Sequence, residues 1–234
     1  MWLGRKMAEG VGGWLQLEFH CDRSDVFSEK YLSVPVGQIL SAEYGTKAYA
    51  EVNHPILAKL AKGSGRRPQV DFAVCNPYPK IKVAVETKWI TSSAVKPQLV
   101  IWDLIRLEML AHHLGAETFF VLGGKKKFLD AFIKSEAFLG PLADGRSRPM
   151  LSMPSRHAIG LRLTQPPVSR IPVHRKTFKM FKMGDVEMPE VIKSSKPAIF
   201  PEDCPTSRFQ IYAWQILCAK HRQKFLPSKH SFYK

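Results

Sequence analysis

Apolar positions along the chain fall into segments whose repeat alternates between that of a helix and that of a strand. Tyr31, Leu32, Val36, Ile39 and Leu40 recur at helical spacing, with Ser28 placed to cap the start and Gly45 to stop it. Pro35 interrupts this run and predicts a kink or two short helices. Earlier, residues 12–22 around Trp14, Leu15 and Leu17 predict a short helix or turn. Residues 47–52 read as a strand and 61–68 as a loop. Residues 69–75 and 81–90 then form two strands joined by a tight connection at 76–80. Pro97 opens a long helix reaching Leu114, with Gly115 placed to end it. Leu99, Trp102, Ile105, Leu107, Leu110 and Leu114 make that helix apolar enough to pack against a sheet.

Residues 117–122 follow as a strand, and Phe128, Leu129, Phe132 and Ile133 mark another amphipathic helix. Beyond residue 138 the chain is loop-like and punctuated by Pro166, Pro167 and Pro172, with strands expected at 158–163 and 208–217. The order predicts an α/β fold: a central mixed sheet flanked by helices, without the strict alternation of a doubly wound fold. The expected organisation is an N-terminal segment (1–27), a core (28–138) and a basic C-terminal extension (139–234) packing on that core.

Charge sharpens the picture. The 234 residues carry 35 Lys and Arg against 20 Asp and Glu, a formal +15. From residue 151 onward there are 15 basic and 5 acidic residues. Such an excess favours a polyanionic partner, nucleic acid first among them. No apolar run approaches the roughly 18–20 residues that span a bilayer, and no amphipathic helix gathers the cations on one face. A membrane partner is therefore not expected. Cys21, Cys75, Cys204 and Cys218 are scattered without a C-x-x-C pair, which suits reduced thiols in a cytoplasmic protein. His112 and His113 end a helix, where histidines cap. Lys125, Lys126 and Lys127 begin one, where positive charge is disfavoured, so a phosphate contact and a solvated charge run both stand. Residues 220–234 interleave Lys and Arg with Phe225, Phe232 and Tyr233, which suits contact with a single strand or with a nucleic-acid backbone, or else a frayed terminus.

Candidate chemistry lies on the two paired strands. Alternation puts Lys82, Ala84, Glu86 and Lys88 on one face and Ile81, Val83, Val85 and Thr87 on the other. Asp71 alternates with Ala73 and Cys75, and a hairpin brings it beside Glu86. Two neighbouring carboxylates repel unless a cation sits between them. Mg²⁺, or Mn²⁺ in its place, is held by such oxygens together with water and substrate phosphate. Lys88 is placed to orient an attacking water or to stabilise charge on phosphate.

Pro68-Gln69-Val70-Asp71 and Glu86-Thr87-Lys88 resemble the signature of the PD-(D/E)XK nuclease superfamily, the restriction-endonuclease-like fold, over about residues 28–135. Val70 rather than proline precedes Asp71, a position without a ligand role. The resemblance implies that Asp71, Glu86 and the Thr87 carbonyl hold metal and that Lys88 assists the nucleophile. It also implies a helix glutamate, for which Glu29 is the candidate with Glu18 and Glu51 behind it. Gln98, with Trp102 one turn on, resembles the Q-x-x-x-Y element of one branch. Asp103 and Arg106 read as an i,i+3 surface pair. The expectation is a Mg²⁺-dependent nuclease acting on nucleic acid, DNA foremost, as a homodimer or with protein partners. The alternative is a non-catalytic nucleic-acid-binding or assembly subunit of the same fold.

Overall fold

The computed structural model describes residues 2–60, 67–91, 96–154, 160–180, 182, 185–202, 208–218, 223–230 and 233. In chain order the elements are α1 (Leu3–His20), α2 (Ser33–Tyr44), β1 (Tyr49–Asn53), α3 (Leu57–Leu60), β2 (Gln69–Cys75), β3 (Ile81–Ile90), α4 (Pro97–Leu114), β4 (Glu117–Lys125), α5 (Lys126–Ile133) and α6 (Glu136–Leu139). They continue with β5 (Gly160–Arg162), α7 (Ile171–Met180), β6 (Met188–Pro189), β7 (Val191–Ser194), β8 (Ala198–Phe200), β9 (Phe209–Leu217) and β10 (Lys224–Phe225).

Among the described residues, eight strands form one sheet in the order β1-β2-β3-β4-β9-β7-β5, with β8 added on β9. β3 and β4 run parallel and every other pair is antiparallel. The fold is thus α/β with a mixed, mostly antiparallel central sheet. β6 and β10 make a separate small ribbon. None of the described helices is long and apolar enough to cross a membrane.

Two apolar layers hold the sheet. On one face Phe72, Val74, Val83, Val85, Phe119 and Val121 pack against Met7, Val11 and Leu15 of α1 and Val36 and Leu40 of α2. On the other, Ala84, Phe120, Leu122 and Trp214 meet Ile101, Leu104, Ile105 and Leu107 of α4, with Phe178 of α7 behind. Burying each such side chain contributes about 1.5–3 kcal/mol. β4 approaches β3 closely because Gly124 has no side chain: a Cβ there would lie 2.7 Å from the Ile90 carbonyl oxygen.

Several sequence expectations change. α1 is a full helix from Leu3 to His20, where a short helix or turn at 12–22 was expected. Gly10, Gly12 and Gly13 weaken local helix propensity, yet Gly12 is needed because a Cβ there would lie 2.2 Å from the Phe200 ring. α2 starts at Ser33 and not at Ser28, which puts Pro35 in its first turn, where an amide N–H has no helical partner to lose. No kink results. Gly45 and Gly115 end α2 and α4 in the left-handed conformation, as their positions predict.

The C-terminal region does more than pack on a core, since β9 pairs with β4 along its length and lies inside the sheet. α7 arises among the prolines of a stretch expected to be irregular. The loop expected at 61–68 lies largely, and Cys204 wholly, outside the described residues, as do Lys220, Arg222, Phe232 and Lys234 of the basic tail. Among the described residues, Cys21, Cys75 and Cys218 form no disulfide.

Arg170, just before α7, is buried and faces three main-chain carbonyls. Its Nε donates to Ala137 O at 2.8 Å, and Nη2 donates to Phe138 O at 2.8 Å and Arg148 O at 2.7 Å. Burial lowers its pKa to about 10, so it remains a cation and ties the end of α6 to α7. Arg170→Met should lower unfolding stability by about 2–3 kcal/mol through loss of charged hydrogen bonds, measured by urea denaturation. Arg170→Lys should recover only part, because an ammonium cannot fork between the carbonyls. Wild-type stability in the lysine variant would reject this role.

Candidate active site

β2 and β3 form the hairpin that carries the acidic residues. Their ladder pairs Ala73 with Ala84 and Phe72 with Val85, so Asp71 and Glu86 occupy the next facing position. Facing residues of an antiparallel pair share a side of the sheet. The sequence expectation that these two acids meet is therefore matched in register. Asp71 is then fixed at the strand end: its Oδ2 accepts from the Thr87 amide at 2.7 Å and from Thr87 Oγ1 at 2.9 Å. Beside it, β1 breaks its regular conformation at Glu51, which has φ of 52° and faces Asp71 across the β1–β2 pair.

α4 closes the site from above with two residues read from the sequence as a surface pair. Asp103 and Arg106 do pair, Nη2 to Oδ1 at 2.5 Å, but Asp103 is buried and the Arg106 side chain is only 12% exposed, so the expectation of a surface pair is corrected. Arg106 Nη2 also lies 2.9 Å from Glu86 Oε1. Arg106 is held from three further sides. Nη1 donates to the Gln69 carbonyl, the guanidinium lies 5.9 Å from the Trp102 ring centroid, and its own carbonyl accepts from His54 Nε2 at 3.0 Å. His54 Nδ1 accepts the Leu57 amide at 3.1 Å, which leaves the proton on Nε2. Burial lowers the His54 pKa to about 4, so the ring stays neutral.

Lys88 is the second cation. Its Nζ donates to Glu29 Oε1 at 3.0 Å and to the Thr87 carbonyl at 3.3 Å, and it lies 3.2 Å from Asp103 Oδ2. Glu29 thus joins the site as expected, though from the turn before α2 and not from the helix itself. The Thr87 carbonyl faces the Lys88 ammonium. Gln98 is placed differently. It is buried at the start of α4, about 140° around the helix from Asp103 at 3.6 residues per turn. Its carbonyl accepts from Thr177 Oγ1 of α7 at 3.3 Å. Among the described contacts none joins the Gln98 side chain to Asp71, Glu86 or Lys88. Glu18 lies elsewhere, accepting from the Tyr31 hydroxyl at 2.5 Å.

Four carboxyl groups (Glu29, Asp71, Glu86, Asp103) therefore face two cations, an excess of two negative charges if all ionise. Glu86 and Asp103 share one Arg106 nitrogen and so lie roughly 5 Å apart. At an effective dielectric of ~20, two ions at that spacing repel by about 3 kcal/mol. Burial, with Asp103 and Asp71 adding to it, holds the Glu86 carboxyl well above its usual range, against the opposing pull of Arg106 and Lys88. Burial likewise raises Asp103 and Glu29. For Lys88, burial alone would lower the pKa, but Asp103, Glu29 and Asp71 outweigh it and the ammonium is raised.

Glu86 Oε2 is buried without a partner among the described residues, whereas Glu86 Oε1 and Asp103 Oδ2 are buried against the nitrogens of Arg106 and Lys88. A buried oxygen without a donor is what a hard divalent cation would use, and Mg²⁺ needs only one or two carboxylates when water and phosphate complete its shell. The donor chemistry fits. Among the described residues, however, no three His, Cys, Asp or Glu side chains stand in a metal-ligating arrangement.

Asp103 and Arg106 carried a signal in the sequence. A helix apolar on all sides has no surface to give its charges, so they must be buried and paired. No protein-family model, no curated protein and no solved structure matches this chain.

A carboxyl with a raised folded-state pKa stabilises the protein fully below its unfolded pKa, and that stabilisation is lost as pH rises through the folded one. Glu86, Asp103 and Glu29 all shift this way, so stability should fall as pH rises from about 4 toward neutrality. Glu86→Gln removes the largest part of the cost. Its melting temperature should exceed that of wild type by about 2–4 °C at pH 8, for ~1 kcal/mol, with the gain shrinking toward pH 4. Calorimetry that found the gain larger in acid would reject the assigned shift.

Proposed function

We propose that this chain is a metal-dependent nuclease that hydrolyses phosphodiester bonds in nucleic acid, DNA foremost. One observation carries the reading: Asp71 and Glu86 occupy facing positions on β2 and β3, with Lys88 on the same face and Glu86 Oε2 buried without a donor. The resemblance of Asp71 and Glu86-Thr87-Lys88 to the PD-(D/E)XK signature supports it, as does the +15 charge. Asp71 and Glu86, with the Thr87 carbonyl, would hold Mg²⁺ or Mn²⁺, which when bound polarises the scissile phosphate and lowers the pKa of a water.

The other roles belong to the chain itself. Lys88 keeps its proton and so acts as a donor to phosphate oxygen, not as a base. Glu29 and Asp103 aim its ammonium, and Thr87 fixes the rotamer of Asp71 through two hydrogen bonds. α4 and the apolar layer behind it exclude water from Glu86, which strengthens every charge interaction there.

A second reading has its own support. Arg106 Nη2 bridges Glu86 and Asp103 and so supplies a permanent cation where a divalent ion would otherwise balance the acids. A nucleic-acid-binding module needing no metal would be built this way.

Two measurements separate the readings. Glu86→Gln and Lys88→Ala should each cut Mg²⁺-dependent DNA cleavage at least ~100-fold, the scale for removing one transition-state stabiliser, with circular dichroism unchanged. Undiminished cleavage by either variant would rule out the catalytic assignment. Titration of the wild-type protein with Mn²⁺ should release both heat and protons, because raised carboxyls must deprotonate to bind metal. A silent titration would favour the metal-free binding module.

A further inference from the structure

A second feature lies on the same edge of the sheet. β3 and β4 run parallel, with Lys88 level with Leu122 and Ile90 level with Gly124, so their C-terminal ends point the same way. β4 ends at Lys125 and α5 begins at once with Lys126 and Lys127. Across the β4–β9 pair Lys125 faces Phe209, and the Lys126 amide donates to the Arg208 carbonyl at 2.9 Å. The last turn of α1 brings Phe19 alongside. Lys125, Lys126, Lys127 and Arg208 thereby surround a cleft of about 280 Å³ walled by Phe19 and Phe209.

The charges in this cleft are poorly compensated. Lys126 lies 3.3 Å from Asp130. Among the described residues, Lys125, Lys127 and Arg208 have no carboxylate partner. Lys127 instead lies over the Phe128 ring at 4.7 Å and Arg208 over the Phe19 ring at 4.8 Å. Three lysines also crowd the positive end of the α5 dipole, which opposes them. Like charges converge here from two separated parts of the chain, and an anion is the species that would relieve them.

The cations stand beside a row of aromatic rings on the α1 face of the sheet: Trp89 to Phe209 at 6.2 Å between centroids, and Phe27 to Phe209 at 5.0 Å. Cations interleaved with aromatic rings suit a single strand, whose bases stack while its backbone meets the charges.

We propose that this cleft binds backbone phosphate of a single nucleic-acid strand. The proposal rests on the nuclease reading for the class of its ligand, but its binding test does not depend on cleavage.

The probe is a fluorescein-labelled 12-nucleotide single-stranded DNA, followed by anisotropy with the full chain in EDTA over a sodium chloride series. Wild type should bind. Lys125→Gln/Lys127→Gln/Arg208→Gln should weaken binding at least tenfold and flatten the salt slope by about 2, for three phosphate contacts at ~0.7 each. Lys80→Gln/Lys82→Gln/Lys193→Gln, which removes equal charge away from this cleft, should change affinity less than threefold. Equal weakening by both triple variants would reduce the effect to net charge and overturn the proposal, as would absence of binding by wild type.

Inorganic pyrophosphate serves as the competing anion. Saturable pyrophosphate binding that the cleft variant loses, with oligonucleotide affinity unchanged, would assign the cleft to a free anion and overturn it as well. Failure of the nuclease reading looks different: no cleavage with Mg²⁺, while the cleft variant still loses oligonucleotide binding.

Discussion

Four carboxyl groups and two cations share a few ångströms at the end of β3, mostly out of water, and the surrounding structure is arranged to tolerate them. Isolated ions in an apolar layer would cost several kcal/mol each. Here each cation touches more than one acid: Arg106 joins Glu86 to Asp103, and Lys88 joins Asp103 to Glu29. Asp103 is the common member, so the two ion pairs form one network: loss of Arg106 would strand Glu86, loss of Lys88 would strand Glu29, and either would leave Asp103 with a single cation. Replacing buried ion pairs by apolar side chains of similar volume is often neutral or stabilising, so the network sets the geometry of this region more than it adds stability.

The supports reach well beyond the charged atoms. His54, neutral and buried, holds the α4 main chain through the Arg106 carbonyl and at the same time satisfies the amides that open α3. Trp102 and Gln69 fix the guanidinium, and Thr87 fixes Asp71. β3 contributes from both faces: Glu86 and Lys88 look toward α4, while Val83 and Val85 anchor the strand to α1 and α2. The depth of the site is thus set by the packing of α4 on the sheet.

The sequence made the hairpin and the long helix legible because their signals are local. Alternation, the turn residues at 76–80, Pro97 and Gly115 each act within a few positions. The pairing of Asp71 with Glu86 follows from the same register. Asp103 and Arg106 were misplaced because i,i+3 opposite charges are usually a surface pair, and only the all-round apolar character of α4 argues otherwise. Gln98 depended on a motif likeness that helix rotation does not honour in this fold. α1 was obscured by glycines whose purpose, making room for Phe200 and Ile39, is tertiary. The place of β9 inside the sheet could not be read at all, since pairing between residues 117–125 and 209–217 leaves no trace in local pattern.

That long-range pairing bears on how the molecule comes into being. At 5–20 residues per second, a ribosome needs roughly 4–17 s to pass from Lys125 to Phe209. Throughout that interval β4 has β3 on one side and an unpaired row of amides and carbonyls on the other, an edge of the kind that recruits foreign strands. The hairpin bearing the acids is made first, but the sheet behind it closes only after β9 has emerged. Protection of the nascent chain therefore falls to whatever covers β4 in those seconds.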